Sequence, residues 1–415
     1  MEEPSPLITN DAIVLGLLLV LLGIVFKTAA SSNPFWKKFY SYVPSLLVCY
    51  FLPSVFNSLG IIDGDHSNLY FVASRYMLPA CLVLLTISTD FKEIIKLGSK
   101  AVIMFLTGTV GILIGGPIAI LFFSYFAPSV IGVESEEVWR GMTTVAGSWI
   151  GGGANQAAMK EVFLVDDDLF SKMVTVDIIV ANIWMACLLI GAGKSTLLDK
   201  YLKADASAID EVKNKMEQYS ASIAKIPTLT DLMIILAVGF GITGMAHLLS
   251  DWIAPYLLEN YPGLKQYSLT SGFFWLIVIS TTMGLILSFT KLRELEGVGA
   301  SKVGSVFIYI LVATIGMKMN VLAIFESPGL FLVGIVWMLV HISLLLIVAK
   351  IIRAPFFFVA VGSQANVGGA ASAPIMASAF HPSLAPVGVL LAVLGYALGT
   401  YAAYVCGLLM QYASS

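Results

Sequence analysis

Two stretches of this sequence combine paired glycines with amide and hydroxyl side chains inside apolar surroundings. Residues 147–157 read GSWIGGGANQA, and residues 362–372 read GSQANVGGAAS. Glycine unwinds helices, and unsatisfied backbone is not tolerated in the hydrocarbon of a membrane. Where backbone is broken there, its N–H groups suit an anion and its carbonyls suit Na⁺. The pattern therefore predicts a polar binding site at two interrupted helices.

The side chains beside these glycines are predicted to bind a solute and a coupling ion. Amides and hydroxyls offer donors and acceptors without the cost of burying a charge. Asp177 lies in an apolar segment, where an ionisable side chain is usually functional. With Asn366 it is predicted to bind Na⁺; the alternative is an acid at the outer interface, near Lys172. The predicted binding residues are Ser148, Gly151, Gly152, Asn155, Gln156, Asp177, Asn182, Ser363, Gln364, Asn366, Gly368, Gly369, Tyr396 and Thr400.

Other ionisable residues in the apolar segments have competing interpretations. Arg75 could pair with Asp177 or hold a substrate carboxylate, but an arginine near a span end more often anchors its helix at the interface. For His341, a structural hydrogen bond to a neighbouring helix is favoured over a proton relay. Asp90 and Lys318 are interpreted as helix-end and interface residues.

The composition restricts the chain to one broad class. Of its 415 residues, 58% are hydrophobic and only 12% are charged, whereas soluble domains have about 25% charged residues. These values fit an all-α polytopic membrane protein, and no nucleic-acid partner is expected. The four cysteines have no metal-ligand spacing, and no catalytic constellation occurs in one place. We therefore expect no enzyme, and no cofactor beyond a Na⁺ or H⁺ coupling ion.

Apolar runs long enough to cross a bilayer recur along the whole chain. Two segments, 138–163 and 354–380, differ because glycines and amides interrupt them. Each is predicted to be either a broken helix that crosses the membrane or a re-entrant hairpin that enters and leaves on one side. The ten ordinary spans are predicted at about 11–26, 39–59, 68–90, 100–126, 170–193, 230–250, 270–290, 302–325, 329–349 and 384–410.

The distribution of lysine and arginine favours hairpins over crossing segments. With two hairpins and an outer N-terminus, most basic residues fall in cytoplasmic loops, as the positive-inside rule requires. If both segments crossed, the loops after residue 163 would change sides, and the basic residues would divide almost evenly. The hydrophilic stretch 194–229 is then a cytoplasmic linker.

The interrupted segments also mark an internal repeat. Each follows four spans and precedes a fifth, and LLTISTD at 84–90 resembles VATIGMK at 312–318. An odd number of crossings inverts one half relative to the other, and inverted repeats with interrupted helices are typical of secondary transporters. We expect a first repeat at 1–193, with scaffold spans 11–59 and core 68–193. The second is expected at 230–415, with scaffold spans 230–290 and core 302–410.

Over nearly its whole length, the chain resembles the membrane family labelled domain of unknown function 819. The resemblance rests on AGSWIGGGANQAA at 146–158 and SQANVGGAASAP at 363–374. At greater distance the layout is similar to sodium:citrate and sodium:glutamate symporters and to the cation:proton antiporter and anion transporter superfamily. This implies an elevator transporter, in which a core holding both hairpins slides against a dimeric scaffold. Citrate carriers use an arginine near the second hairpin, whereas Arg353 lies where this hairpin begins, so a di- or tricarboxylate is not implied.

Together these features predict a secondary active transporter of a small polar or anionic organic solute. We expect Na⁺ coupling and an elevator mechanism in a lipid-embedded homodimer, located in the bacterial cytoplasmic (inner) membrane. One alternative is a cation/proton antiporter that depends on Asp177. Another is a channel or exporter without coupling, whose flux would not respond to a Na⁺ or H⁺ gradient.

Overall fold

The computed structural model describes residues 6–43, 45–64, 66–128, 135–204, 209, 226–267, 269–318, 329–381 and 384–414. These segments are mainly helical, and their only strand-like pairing is a single bridge between Ile8 and Ile62. The helices are α1 (Asp11–Ala29), α2 (Pro34–Tyr42), α3 (Ser45–Ser58), α4 (Leu69–Ile87), α5 (Phe91–Lys96), α6 (Ser99–Phe126), α7 (Ser135–Val162), α8 (Asp167–Ala192), α9 (Ser195–Leu202), α10 (Leu229–Asn260), α11 (Gly272–Leu287), α12 (Ala300–Gly316), α13 (Gly329–Ile352), α14 (Phe356–Val367), α15 (Gly369–Phe380) and α16 (Ala385–Ser414).

Among the described residues, seven helices are long and apolar enough to cross a membrane: α1, α4, α6, α8, α10, α13 and α16. An eighth span results if α11 and the 3₁₀ helix at Lys291–Val298, which meet at a bend of 96°, are counted together. The predicted spans 39–59 and 302–325 give shorter helices, since α3 has 14 residues and α12 has 17. Residues 319–325 lie outside the described part. The helices fit a polytopic membrane protein.

Side-chain caps begin several of the long helices at the change from polar to apolar sequence. Asn10 Oδ1 accepts from the N–H of Ala12 at the start of α1, and Asp166 caps α8. Thr228 and Asp231 form a reciprocal capping box at the start of α10. Caps satisfy N–H groups that a helix end leaves unpaired, so these polar residues determine where the spans begin.

Helix α7 is interrupted and doubles back as a hairpin, here called hairpin 1. Its backbone leaves helical geometry at Gly151 and at Gly152, where φ is 71°. Arg140, near its start, donates to Phe163 O, just after its end, over 3.0 Å. A straight helix would hold these two residues about 35 Å apart. The segment predicted at 138–163 is therefore a hairpin with both ends at one level and not a crossing helix.

Helices α14 and α15 form a second hairpin, hairpin 2, around Gly368 and Gly369. Gly369 has a φ of 57°, a left-handed conformation that favours glycine. The rings of Phe357 and Phe380, which lie at the two ends of the hairpin, have centroids 5.2 Å apart. The segment predicted at 354–380 therefore also doubles back.

Helix α16 lies along both hairpins and shows how they are oriented. Near its start, Gly388 packs against Ala373 of hairpin 2, and near its end Gly407 packs against Phe163 at the base of hairpin 1. These two glycines are separated by about 28 Å of helix at roughly 1.5 Å per residue. The hairpins therefore extend from opposite ends of α16 towards its middle.

The long helices pack as two bodies. The hairpin body contains α6, α8, α13, α16 and both hairpins, and the panel body contains α1, α3, α4, α10, α11 and α12. Gly239 of α10, Gly284 of α11 and Gly304 of α12 all face α4. Because glycine lets helices approach closely, these contacts hold α4 in the panel body. From the sequence, spans 68–90 and 302–325 were expected in the core with the hairpins. The helices found there, α4 and α12, pack instead with the scaffold spans.

Of the hydrophilic linker 194–229, the structure describes residues 194–204, 209 and 226–229. Its first part forms α9, where Asp199 accepts from the N–H of Phe356 at the start of hairpin 2, over 2.7 Å. The ammonium group of Lys350 lies 4.6 Å from the ring centre of Tyr201. The start of the linker and the base of hairpin 2 therefore lie at the same end of the protein.

Candidate functional site

The turns of the two hairpins meet against Tyr396 of α16. A Cβ atom built on Gly152 would lie 3.1 Å from Tyr396 Cε1, and one built on Gly369 would lie 3.7 Å from the Tyr396 hydroxyl. The position on Gly369 is also 4.0 Å from Gly152 Cα. Gly395, one residue earlier on α16, faces a backbone carbonyl of each hairpin. The two breaks predicted from the sequence thus lie side by side, and we call this place the junction.

The junction is mostly buried but not closed off. Gly151 and Gly369 are buried, whereas the partly exposed residues are Gly152, Gly153, Gly368, Ser372 and Tyr396. Backbone that leaves helical geometry has N–H and C=O groups without their usual helical partners. The junction therefore combines polar backbone with a partly open position inside an apolar fold.

Asn155 braces the break of hairpin 1. Its Nδ2 donates to Gly151 O over 2.9 Å, and its Oδ1 accepts from the Thr400 hydroxyl of α16 over 2.5 Å. The Thr400 hydroxyl also lies 3.2 Å from that of Thr281 on α11. Asn155 and Thr400, both predicted as ligands, thus bond each other and connect hairpin 1 to α16.

Asn366 has a similar role in hairpin 2. Its Nδ2 donates to Gly362 O and to Phe105 O of α6, each over 2.9 Å. Its Oδ1 accepts from the Thr109 hydroxyl of α6 over 2.7 Å. Asn366 precedes its break whereas Asn155 follows its own, so the two half-sites are not equivalent. Both ends of the Asn366 amide are engaged within the protein.

Asp177 of α8 is only 3% exposed and lies beside the turn of hairpin 1. Its Oδ1 accepts from the Trp149 indole N–H over 2.6 Å, and its Oδ2 accepts from Gln156 Nε2 over 2.8 Å. Ser148 also hydrogen-bonds this carboxylate. Because Trp149 and Gln156 belong to different arms, one carboxylate joins both arms. The alternative from sequence, an acid at the outer interface near Lys172, stays a prediction, although Asp177 is buried within the protein.

Ser363 in hairpin 2 follows a glycine as Ser148 does in hairpin 1. Its hydroxyl oxygen accepts from the Trp184 indole N–H over 2.8 Å and lies 2.8 Å from His341 Nε2. His341 Nδ1 lies 3.0 Å from Gly108 O. Since a carbonyl only accepts, Nδ1 carries a proton. The structural hydrogen bond predicted between His341 and a neighbouring helix is confirmed.

Gln364 spans the break of hairpin 2. Its Nε2 donates to Ser372 Oγ of the other arm over 2.8 Å, across Gly368. Its Oε1 is buried and has no hydrogen-bond partner in the described part of the chain. Buried polar groups in proteins are nearly always paired. This oxygen is therefore an unused acceptor at the junction.

Comparison with known proteins assigns the chain to a family. The profile of the family described as "Protein of unknown function (DUF819)" matches residues 16–413. The chain belongs to the DUF819 family. A relative, the "Uncharacterized membrane protein YjcL" of Bacillus subtilis (strain 168), is 24% identical over 393 residues, which cover 92% of this chain and 94% of the relative. This similarity and the apolar helices indicate that the DUF819 protein is an integral, multi-pass membrane protein.

In this DUF819 protein, Arg75 belongs to a polar cluster at the base of hairpin 1. Its Nη2 lies 2.8 Å from Glu161 Oε2, and the Tyr70 hydroxyl donates to the other oxygen of that carboxylate. The guanidinium also lies over the ring of Phe273, 4.3 Å from its centre. Arg75 thus pairs with Glu161 rather than with Asp177, because the π-helical turn at 73–77 and the hairpin base bring them together.

Two further residues of the DUF819 protein have local roles. Asn182, predicted as a ligand, is exposed, and its amide donates to Ile178 O within α8 rather than to a hairpin. Asp90 accepts from the N–H of Lys92 at the start of α5 and lies 3.2 Å from Arg293. The helix-end interpretation of Asp90 is confirmed.

Several junction residues of the DUF819 protein were not singled out from the sequence. The pattern GYALGT at 395–400 does carry a signal, because Gly395 and Gly399 lie one helical turn apart and both face hairpin backbone. Trp149 lies within the interrupted segment of hairpin 1 itself, where it bonds Asp177. The remaining residues come from other spans without a local pattern, and they are Tyr50, Phe105, Thr109, Trp184 and Thr281.

Proposed function

We propose that this DUF819 protein is a secondary active transporter of a small polar or anionic organic solute, coupled to Na⁺. The observation that carries the proposal is the meeting of two hairpin turns, from opposite ends of α16, at a buried polar junction. Broken backbone at membrane depth persists only where protein buries it or where it lines a cavity. Secondary transporters use such half-helix ends to hold substrate and ions.

An inverted repeat accounts for the likeness between the hairpins. Ser148 and Ser363 each follow a glycine, and each contacts α8 through Asp177 or Trp184. The hairpins also approach the junction from opposite ends of α16. We propose that residues 1–193 and 230–415 are the inverted halves, with the linker between them.

Sliding of the hairpin body against the panel body is the proposed mechanism. Polar contacts cross this boundary, including Tyr50 to Gln156, 3.4 Å apart, and Arg75 to Glu161. Polar contacts of this kind can exchange partners at lower cost than a tightly interlocked apolar surface. The panel body, including α4 and α12, would be the scaffold and would form the homodimer contact, and the bacterial cytoplasmic membrane is the proposed location.

Thermal unfolding of the purified protein tests solute binding. Organic acids, amino acids and small peptides are screened in NaCl and in KCl, because a ligand that binds only the folded state raises apparent stability. We expect at least one class of solute to raise Tm in Na⁺ and much less in K⁺. Gly152→Ala, which alters the junction, should lose this shift, whereas Asp251→Asn at an exposed position should retain it.

Uptake of the identified solute into proteoliposomes tests the coupling. An inward Na⁺ gradient should accelerate uptake above the rate in equal Na⁺. If no solute shifts Tm in either salt, the protein does not carry these solutes. If uptake occurs but responds neither to a Na⁺ gradient nor to an H⁺ gradient, the uncoupled channel or exporter is correct instead.

A cation/proton antiporter is the second candidate, and the burial of the Asp177 carboxylate inside a span favours it. In proteoliposomes that contain a pH-sensitive dye, addition of Na⁺ would then move protons without any organic solute. Asp177→Asn should abolish this signal, and Asp251→Asn should not. A signal that requires an organic solute would rule out the antiporter.

A further inference from the structure

The four amides predicted in the two hairpins differ in which of their polar atoms lack a partner. Asn155 and Asn366 have both ends engaged within the protein. Gln156 donates to Asp177 and accepts from the Tyr50 hydroxyl. Gln364 uses only its nitrogen, and its buried oxygen lacks a partner among the described residues. The acceptor that remains for a ligand is therefore in hairpin 2.

The surroundings of this oxygen are rich in neutral oxygen ligands. Gln364 lies in the last turn of α14, where its own carbonyl accepts from the N–H of Gly368 over 2.9 Å. The carbonyls that follow it lie at the C-terminal end of the helix and carry the negative end of the helix dipole. Ser372 Oγ lies 2.8 Å from the Gln364 amide nitrogen and belongs to the opposite arm. Gly368 and Ser372 are partly exposed, so the group is reachable from the junction.

Neutral oxygens around the end of a half-helix match a monovalent hard cation. Unwound carbonyls and half-helix C-terminal ends coordinate Na⁺ in transporters of this general design. The carboxylate of Asp177, by contrast, already accepts from Trp149 and Gln156, and Asn366 Oδ1 accepts from Thr109. The two side chains that the sequence predicts as Na⁺ ligands thus already accept hydrogen bonds from the protein itself.

We propose that Gln364 Oε1 and Ser372 Oγ, with last-turn carbonyls of α14, bind Na⁺ at the break of hairpin 2. This inference rests on the proposed function, and it moves the coupling ion from Asp177 and Asn366 to Gln364 and Ser372. The ion would satisfy the unpaired Gln364 oxygen and add a second connection between the two arms, beside the hydrogen bond from Gln364 to Ser372.

Titration of Tm with NaCl, at constant ionic strength with choline chloride, measures the binding of Na⁺ alone. Gln364→Met removes the oxygen while keeping the length of the side chain, and we expect about tenfold weaker apparent affinity for Na⁺. Ser372→Ala should weaken it in the same direction. Gln411→Met, a matched change in the last turn of α16, should behave as the wild-type protein.

Gln364→Glu separates loss of a ligand from damage to the fold. Glutamate presents an oxygen in either orientation of its end group and adds a negative charge, so Na⁺ should bind more tightly than in the wild-type protein. A misfolded variant could not show this gain. If Gln364→Glu instead loses the response to Na⁺, the free end of the side chain serves as a donor and the cation site is wrong.

The same titration distinguishes failure of the site from failure of the proposed function. If NaCl does not raise the Tm of the wild-type protein above that in choline chloride, Na⁺ coupling and this site are both overturned. If NaCl raises Tm equally in the wild-type protein, Gln364→Met and Ser372→Ala, coupling stands and the site is overturned. An equal response to KCl would overturn selectivity for Na⁺.

Discussion

Single side chains in and beside hairpin 1 show how polar groups are accommodated in an apolar fold. The Asp177 carboxylate bonds both arms, and Asn155 bonds a carbonyl at the break and the Thr400 hydroxyl. A buried polar group that loses its partner costs about 1–3 kcal/mol. Most polar atoms at the junction are therefore structural supports, and few remain for a ligand.

Replacement of Asp177 by asparagine should lower stability without unfolding the chain. Asparagine keeps the shape but has one acceptor oxygen, so either the Trp149 indole or the Gln156 amide loses its partner. We expect a loss of about 1–3 kcal/mol, measured as a lower Tm in detergent. Asp251→Asn, an exposed change on α10, is the control. Equal Tm values for the two variants would contradict the role of Asp177 as the link between the arms.

At the scale of elements, the two hairpins depend on glycines at their turns. Gly152 has φ 71° and ψ −175°, a region that is essentially restricted to glycine. Gly153, the next residue, is not in the left-handed region, and a Cβ there would meet only Ile308 at 3.9 Å. The backbone at position 152 therefore requires glycine, whereas position 153 has the conformation and the space for a side chain.

Alanine substitution should therefore have different effects at these two neighbouring positions. Gly152→Ala places a Cβ 3.1 Å from Tyr396 and strains the backbone, so we expect a loss of about 1–3 kcal/mol and a marked loss of solute-induced stabilisation. Gly153→Ala should keep both properties close to those of the wild-type protein. Both are measured by thermal unfolding with and without solute. Similar behaviour of the two variants would be inconsistent with the described turn.

The orientation of hairpin 1 makes a prediction for labelling. Pro128 lies before the hairpin, Asp166 lies after it, and both are exposed. Because the hairpin doubles back, cysteines at both positions should react with a membrane-impermeant maleimide from the outer side of intact cells. Lys203→Cys, in the linker, should react only after the membrane is opened.

The protein used for this labelling requires one change among its native cysteines. Cys187 is exposed, whereas Cys49, Cys81 and Cys406 are buried, so Cys187→Ala removes the accessible native thiol. Positions 128 and 166 reacting from opposite sides would show that the segment crosses the membrane. The proposed inverted repeat would then be lost as well.

For the whole molecule, the division into two bodies is the feature with mechanistic consequences. The hairpin body contains both turns and α16, so the junction can move as a unit. The panel body surrounds α4 with three glycine-mediated contacts, which favours a rigid support. Their boundary lies close to the junction, where Thr281 of α11 meets Thr400 of α16.

A disulfide across this boundary should stop transport reversibly. The hydroxyl oxygens of Thr281 and Thr400 are 3.2 Å apart, so cysteines at these positions are within reach of a disulfide. We expect oxidation to abolish uptake in proteoliposomes and dithiothreitol to restore it. The single variants Thr281→Cys and Thr400→Cys, which cannot form this disulfide, should transport equally before and after oxidation. Undiminished uptake with a verified cross-link at 281 and 400 would exclude sliding at this boundary.

Local features of the sequence predicted a substantial part of the architecture. The interrupted segments were found within a few residues of their observed bounds, because glycines and amides stand out in apolar runs. The charge distribution favoured hairpins, and both segments do double back. Span lengths were less accurate where a helix ends early, as at α12.

Membrane class, helix starts and the positions of the two breaks follow from the sequence alone, because composition, caps and glycine conformations are local properties. Contacts between remote segments do not. The bonds of Asp177 to Trp149 and Gln156, the pairing of Arg75 with Glu161 and the place of α4 in the panel body appear only in the folded chain. No local pattern encodes them, since they depend on which spans the packing brings together and on which polar groups must then be paired away from water.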